Sequence, residues 1–78
     1  MKLEIITPDK KLFEGDVKSA IFPGSEGSFG VLDNHAPMIA TLKAGNVELT
    51  EVNNTRHEFA VKGGVVEVLR NKVIVLAS

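Results

Sequence analysis

Apolar and polar residues alternate along this chain in short stretches. Leu3 and Ile5 alternate with Lys2 and Glu4, Val47 and Leu49 with Glu48 and Thr50, and Val66 and Val68 with Glu67. His57, Phe59 and Val61 share one parity, opposite Arg56 and Glu58. A period of two marks a half-buried strand, because successive side chains leave a strand on opposite faces. Clusters of turn-forming residues separate the stretches: Thr7-Pro8-Asp9-Lys10, Gly15-Asp16, Pro23 to Gly30, Asp33 to Pro37, Asn53-Asn54, Gly63-Gly64 and Arg70-Asn71-Lys72. Proline presets φ, while asparagine and glycine tolerate the left-handed region, so each cluster is expected to reverse or bend the chain.

On this pattern Lys11 to Glu14 is one brief strand, ended by Gly15-Asp16. A second follows, with Val17, Ser19 and Ile21 on one face and Lys18, Ala20 and Phe22 on the other. Phe29 to Leu32 and Val73 to Ala77 also read as strands. The period of Met38 to Lys43 is ambiguous, but Gly45 follows too soon for a stable helix, so a strand is expected there as well. The sum is eight to ten short strands with no helix. Such strands can cover their apolar faces only against a second sheet, so the expected fold is an all-β sandwich. No domain boundary or repeat interrupts residues 1–78, which read as a single domain.

Composition narrows the function. The 78-residue chain is 44% hydrophobic with net charge −1. That apolar content suits a folded domain, and no basic block offers a footprint for nucleic acid or an anionic membrane. Apolar runs reach only about five residues, against roughly 20 for a spanning helix, so no direct membrane insertion is expected. The absence of cysteine excludes disulfides, zinc-thiolate sites and cysteine nucleophiles, and suggests a reducing, cytosol-like compartment.

Candidate chemistry is sparse. Gly24, Gly27 and Gly30 form a glycine-rich loop, but a strand follows instead of the helix that a phosphate cradle requires, so it reads as a wide turn. Asp33 and His35 could pair as acid and base, yet no nucleophile or third partner stands at a suggestive spacing. They read instead as a turn whose Asp33 and Asn34 side chains bond the local backbone, with His35 displayed. His57 lies in a strand beside Phe59 with no carboxylate cluster at ligand spacing, which favours a structural histidine. Phe29 is equally compatible with a core position and with an exposed partner anchor. No catalytic, cofactor or metal site is expected.

Two longer stretches are more specific. One runs Pro23-Gly24-Ser25-Glu26-Gly27-Ser28-Phe29-Gly30-Val31-Leu32-Asp33-Asn34-His35-Ala36-Pro37-Met38 and on through Leu42-Lys43-Ala44-Gly45. The other is Lys62-Gly63-Gly64-Val65-Val66-Glu67-Val68, followed by Asn71-Lys72-Val73 and Val75-Leu76-Ala77. In order and spacing they resemble the ε subunit of rotary F-type ATP synthases, called δ in mitochondria. The Leu12-Phe13-Glu14-Gly15 segment fits the same pattern.

The resemblance implies a sandwich of about ten strands in two sheets. It also implies a non-catalytic subunit at the foot of the central stalk, one copy per complex and monomeric alone. Such a subunit binds the γ subunit and the polar loops of the membrane c-ring, and couples proton-driven rotation to ATP synthesis. Carried over position by position, it implies ring-facing contacts at Glu26, Ser28, Asn34 and His35. Ser28 departs from relatives in which that position is often acidic. The γ contact is expected on an outer strand face that includes Phe22 or Met38. The implied location is peripheral, on the cytoplasmic face of an energy-transducing membrane, most simply a bacterial inner membrane. The family commonly adds a C-terminal helical hairpin that inhibits hydrolysis in many bacterial relatives; the sequence stops at Ser78, before any such arm. The rival expectations are a β-sandwich adaptor of an unrelated assembly and a small hydrolase or lyase built on Asp33 and His35.

Overall fold

The computed structural model describes all residues, Met1–Ser78, and contains eight strands. They are β1 (Lys2–Ile6), β2 (Lys11–Phe22), β3 (Phe29–Leu32), β4 (Met38–Leu42), β5 (Gly45–Glu51), β6 (Arg56–Val61), β7 (Gly64–Leu69) and β8 (Lys72–Ala77). They form one curled sheet in the order β4-β7-β8-β1-β2-β5-β6, with β3 also paired to β2. All pairs are antiparallel except β1 with β8.

The sheet folds over on β2. Residues 11–16 of β2 pair with β1, in the first layer, whereas its second half pairs with β3 and β5, in the second. The two short strands expected on either side of Gly15-Asp16 are therefore one long strand. Gly15-Asp16 does not end a strand; the chain passes straight through it, Gly15 lying opposite Leu3 and Asp16 opposite Lys2.

Lys18 marks the change of layer. Val17 faces Glu51 and Ser19 faces Thr50, so two steps along β2 match one step along β5 and Lys18 is the extra residue of a bulge. A bulge shifts the side-chain phase by one. Val17 therefore points inward together with Ala20 and Phe22, while Ser19 and Ile21 point out. Strict alternation had placed Val17 with Ser19 and Ile21.

A second irregularity lies near the start of β2, where Leu12 is the extra residue between the Ile5–Phe13 and Ile6–Lys11 pairs; elsewhere the alternation holds. Leu3 and Ile5, Val47 and Leu49, Val66 and Val68, and Val73 and Val75 enter one cluster of 16 buried hydrophobic residues. No polar or charged side chain is buried with them. The turns also follow the sequence. Thr7 N–H donates to the Lys10 carbonyl at 2.8 Å. Asn54 (φ 73°), Arg70 (φ 52°) and Asn71 (φ 59°) are left-handed. Gly64, at φ 145°, brings β7 so close to β8 that a Cβ there would lie 2.2 Å from the Leu76 carbonyl oxygen.

Candidate functional site

The glycine-rich loop joins β2 to β3 and is moulded on its neighbours. Gly27 N–H donates to the Gly24 carbonyl at 3.0 Å, closing a tight turn, and Ser25 N–H donates to the Thr41 carbonyl of β4 at 2.9 Å. A side chain at Gly24 would sit 2.8 Å from the Phe29 ring, so glycine is required there by packing. Phe29 is partly buried and stacks at a tilt on Phe22, ring centroids 5.5 Å apart. Phe29 is thus a core residue that closes the end of the sandwich. Glu26 and Ser28 stand exposed at the loop tip.

The second loop joins β3 to β4. His35 N–H donates to the Leu32 carbonyl at 3.2 Å, closing a β-turn over residues 32–35. Asn34 occupies its third position with φ 63°, a conformation that asparagine tolerates well. The Asp33 and Asn34 side chains do not bond the turn backbone as expected. Asp33 Oδ1 instead accepts from the α-ammonium of Met1 at 2.6 Å, and Asn34 N–H donates to Asn71 Oδ1 at 2.8 Å. His35 Nδ1 lies 2.7 Å from the Ala36 carbonyl, which can only accept, so Nδ1 carries the proton and Nε2 is the atom left to meet a partner.

The two loops lie at opposite ends of β3, about 13 Å apart at roughly 3.3 Å per residue. The first loop is tied to the end of β4 by the Gly24–Leu42 bridge, and the second leads from β3 into β4. The structure thus places Glu26 and Ser28 on one loop and Asn34 and half-buried His35 on the other, as two separate polar patches at the two ends of β3.

Phe22 and Met38 do not lie on an outer face. Phe22 is fully buried, and Met38 pairs with inward-facing Val68 and packs against the core. For Phe22 the cause is the Lys18 bulge. Ile21 and Leu32 are exposed on the second layer, but most of the exposed large aliphatic side chains lie elsewhere, on the outside of the first. There Val65 pairs with both Thr41 and Leu76, and Leu76 with Ile6. Ile39, at 72% exposure, and Leu69 lie on the same outer face beyond Glu67, which pairs with Ile39. Beyond Ile6, Lys11 bridges Glu14 at 2.8 Å and Glu4 at 3.4 Å. These bonds, first to Glu14 and then to Glu4, raise the Lys11 pKa, and the bond from Lys11, then that from Lys2, lowers that of Glu14. The apolar strip was missed because Val65, Leu76 and Ile6 come from three strands and only their register makes them neighbours.

His57 has a structural setting. It stacks at a tilt on Phe13 at 5.4 Å, lies beside Phe59 at 6.1 Å and holds Glu51 at 2.5 Å. No group of three metal-ligating side chains occurs. Neither Asp33 nor His35 lines any of the larger surface depressions, and Asp33 is engaged by the Met1 ammonium, so the two do not form an acid–base pair.

Residues 1–78 match, end to end, the family described as ATP synthase, Delta/Epsilon chain, beta-sandwich domain. The chain belongs to this family. It is 43% identical over 77 residues to the ATP synthase epsilon chain of Campylobacter curvus, covering 99% of this chain and 60% of that protein. It is 44% identical over 75 residues to the epsilon chain of Chlorobium limicola, covering 96% of this chain and 85% of that protein. The chain therefore spans about 60% of the length of its Campylobacter relatives. A chain of the Euglena gracilis mitochondrial ATP synthase, in a structure of its OSCP/F1/c-ring, has the same fold, with TM-score 0.90 at 21% identity over 96% of this chain and 48% of that one. A chain of the Tetrahymena thermophila ATP synthase central stalk and c-ring gives 0.80 at 23% identity, covering 99% and 62%. Family membership sets aside the unrelated-adaptor reading and the hydrolase reading.

Proposed function

We propose that this chain is a non-catalytic subunit of the central stalk of a proton-translocating F-type ATP synthase, binding γ and the c-ring and coupling rotation to ATP synthesis. The end-to-end match to the epsilon family carries this reading. The surface is consistent with it. Glu26, Ser28, Asn34 and His35 remain the ring-facing contacts, exposed or half-exposed on the two turns that flank β3. Polar groups of this kind suit the hydrated loops of a rotor ring.

The γ-facing surface is assigned to the outside of the first layer, to Ile39, Val65, Leu69 and Leu76, in place of Phe22 and Met38. A sheet face carrying several exposed aliphatic side chains around a single carboxylate, Glu67, is what a subunit contact covers. In this arrangement the subunit is peripheral, at the cytoplasmic face of the energy-transducing membrane, and needs no cofactor. Mixing the purified chain with a γ–c-ring subcomplex tests the assignment: a stoichiometric complex is expected, and no association at micromolar concentration would overturn it.

A further inference from the structure

We infer that Asn71, in the turn between β7 and β8, is a positioning residue that holds the Asn34–His35 turn in the shape that docks on the ring loops. The inference rests on the docking reading above but concerns a residue outside both ring-facing loops.

The turn over residues 32–35 satisfies its own His35 amide through the Leu32 carbonyl and leaves the Asn34 amide pointing away from that bond. Asn71 Oδ1 accepts from this amide at 2.8 Å, across 37 residues of sequence. Asn71 is itself fixed. Arg70 and Asn71 both have positive φ, the pattern of a two-residue type I′ hairpin turn. The Asn71 carbonyl also accepts from Lys2 N–H at 3.2 Å, tying the turn to the start of β1. One asparagine therefore joins three distant segments: its carbonyl holds β1 and its side chain holds the turn. The neighbouring Asp33 is held separately by the Met1 ammonium.

A turn exposed to water and bonded only within itself samples several shapes, and a partner must order it on binding. A tether to the sheet removes part of that ordering cost before the encounter. One exposed hydrogen bond of this kind corresponds to about a three- to tenfold effect on affinity.

The test uses Asn71→Gly and Asn71→Asp. Glycine suits the second position of a type I′ turn and removes only the acceptor; aspartate keeps an acceptor oxygen and tolerates positive φ. Affinity is measured for the γ–c-ring subcomplex and for γ alone, alongside amide exchange at Asn34. Asn71→Gly is expected to weaken subcomplex binding about three- to tenfold. It should speed exchange at Asn34 and leave γ binding unchanged, and Asn71→Asp should restore subcomplex affinity and slow exchange. Unchanged subcomplex affinity in Asn71→Gly, where His35→Ala weakens it, overturns the positioning role and leaves the docking turn standing. If His35→Ala and Asn34→Gly are also without effect, the docking reading fails and the inference with it. A parallel loss of γ binding in Asn71→Gly marks a merely structural residue and overturns it too.

Discussion

Replacing Phe22 by alanine should destabilise the domain by about 3–5 kcal/mol, the usual cost of emptying a fully buried aromatic site. Phe22 has 0% exposure and carries a tilted stack with Phe29, so both the cavity and the loss of an aromatic pair act in the same direction. A chain of this length has a total stability of about 4–12 kcal/mol at 0.05–0.15 kcal/mol per residue. The substitution thus removes between a quarter and all of it. With no Trp or Tyr in the sequence, urea unfolding is best followed by far-ultraviolet circular dichroism. At a slope of about 1 kcal/mol per molar urea the midpoint should fall by roughly 3 M or more. Phe22→Leu should cost less and leave γ binding intact. Leu76→Lys, at a position 56% exposed, should do the reverse: a stability change within about 0.5 kcal/mol and at least a tenfold loss of γ affinity, if it sits near the centre of that contact. Loss of γ binding in a Phe22→Leu protein of normal midpoint would refute the placement of the γ surface on the first layer.

Three further outcomes are expected. Gly64→Ala should cost about 2–4 kcal/mol in urea unfolding, because its Cβ would meet the Leu76 carbonyl oxygen and its φ of 145° strains any other residue. Asn54→Ala should cost about 1 kcal/mol by the same assay, because Asn54 sits at φ 73° and accepts from the Lys18 ammonium. The Lys11–Glu14 pair should shape stability at both ends of the pH scale. Glu14 is lowered in the folded chain, so its contribution is present above its unfolded pKa and is lost as pH falls through the folded value. Lys11 is raised, so its contribution is present below its unfolded pKa and is lost as pH rises through the folded value. Lys11→Met should flatten both limbs of a thermal-midpoint profile, and high salt should do the same to the parent chain, since the pair is exposed.

Local chemistry made most of the fold legible. Thr7 to Lys10, Asn53-Asn54 and Arg70-Asn71 turn where their residues favour turning, and the alternation in β1, β5 and β7 names their buried members correctly. The misreadings share one origin. Gly15-Asp16 looks like a break because both residues are poor in strands, yet pairing with β1 on the far side overrides that preference. Lys18 is inconspicuous in sequence, and nothing local announces that it is a bulge, so Phe22 was given to the surface. The Asp33 and Asn34 contacts were equally hidden. Met1 and Asn71 are 32 and 37 residues from their partners, and only the assembled sheet brings them near.

The bulge can be tested against its alternative, which is that Lys18 is a dispensable surface residue. Substituting an exposed lysine by alanine away from a buried pair changes stability by about 0.5 kcal/mol or less, and Lys18→Ala loses only its contact with Asn54. Deleting Lys18 is different. It makes Val17 and Ser19 neighbours opposite Glu51 and Thr50, so the ladder becomes regular and Ala20 and Phe22 still face the core. What is lost is the local bend and added twist that a bulge gives a strand, at the point where β2 leaves β1 for β5. The first half of β2 stays locked to β1, so the second half must reach β5 without that bend. The deletion should therefore keep cooperative unfolding but cost about 1–3 kcal/mol in urea unfolding, where the substitution leaves the midpoint in place. A deletion variant with the midpoint of Lys18→Ala would show that β2 changes layer without help from the bulge.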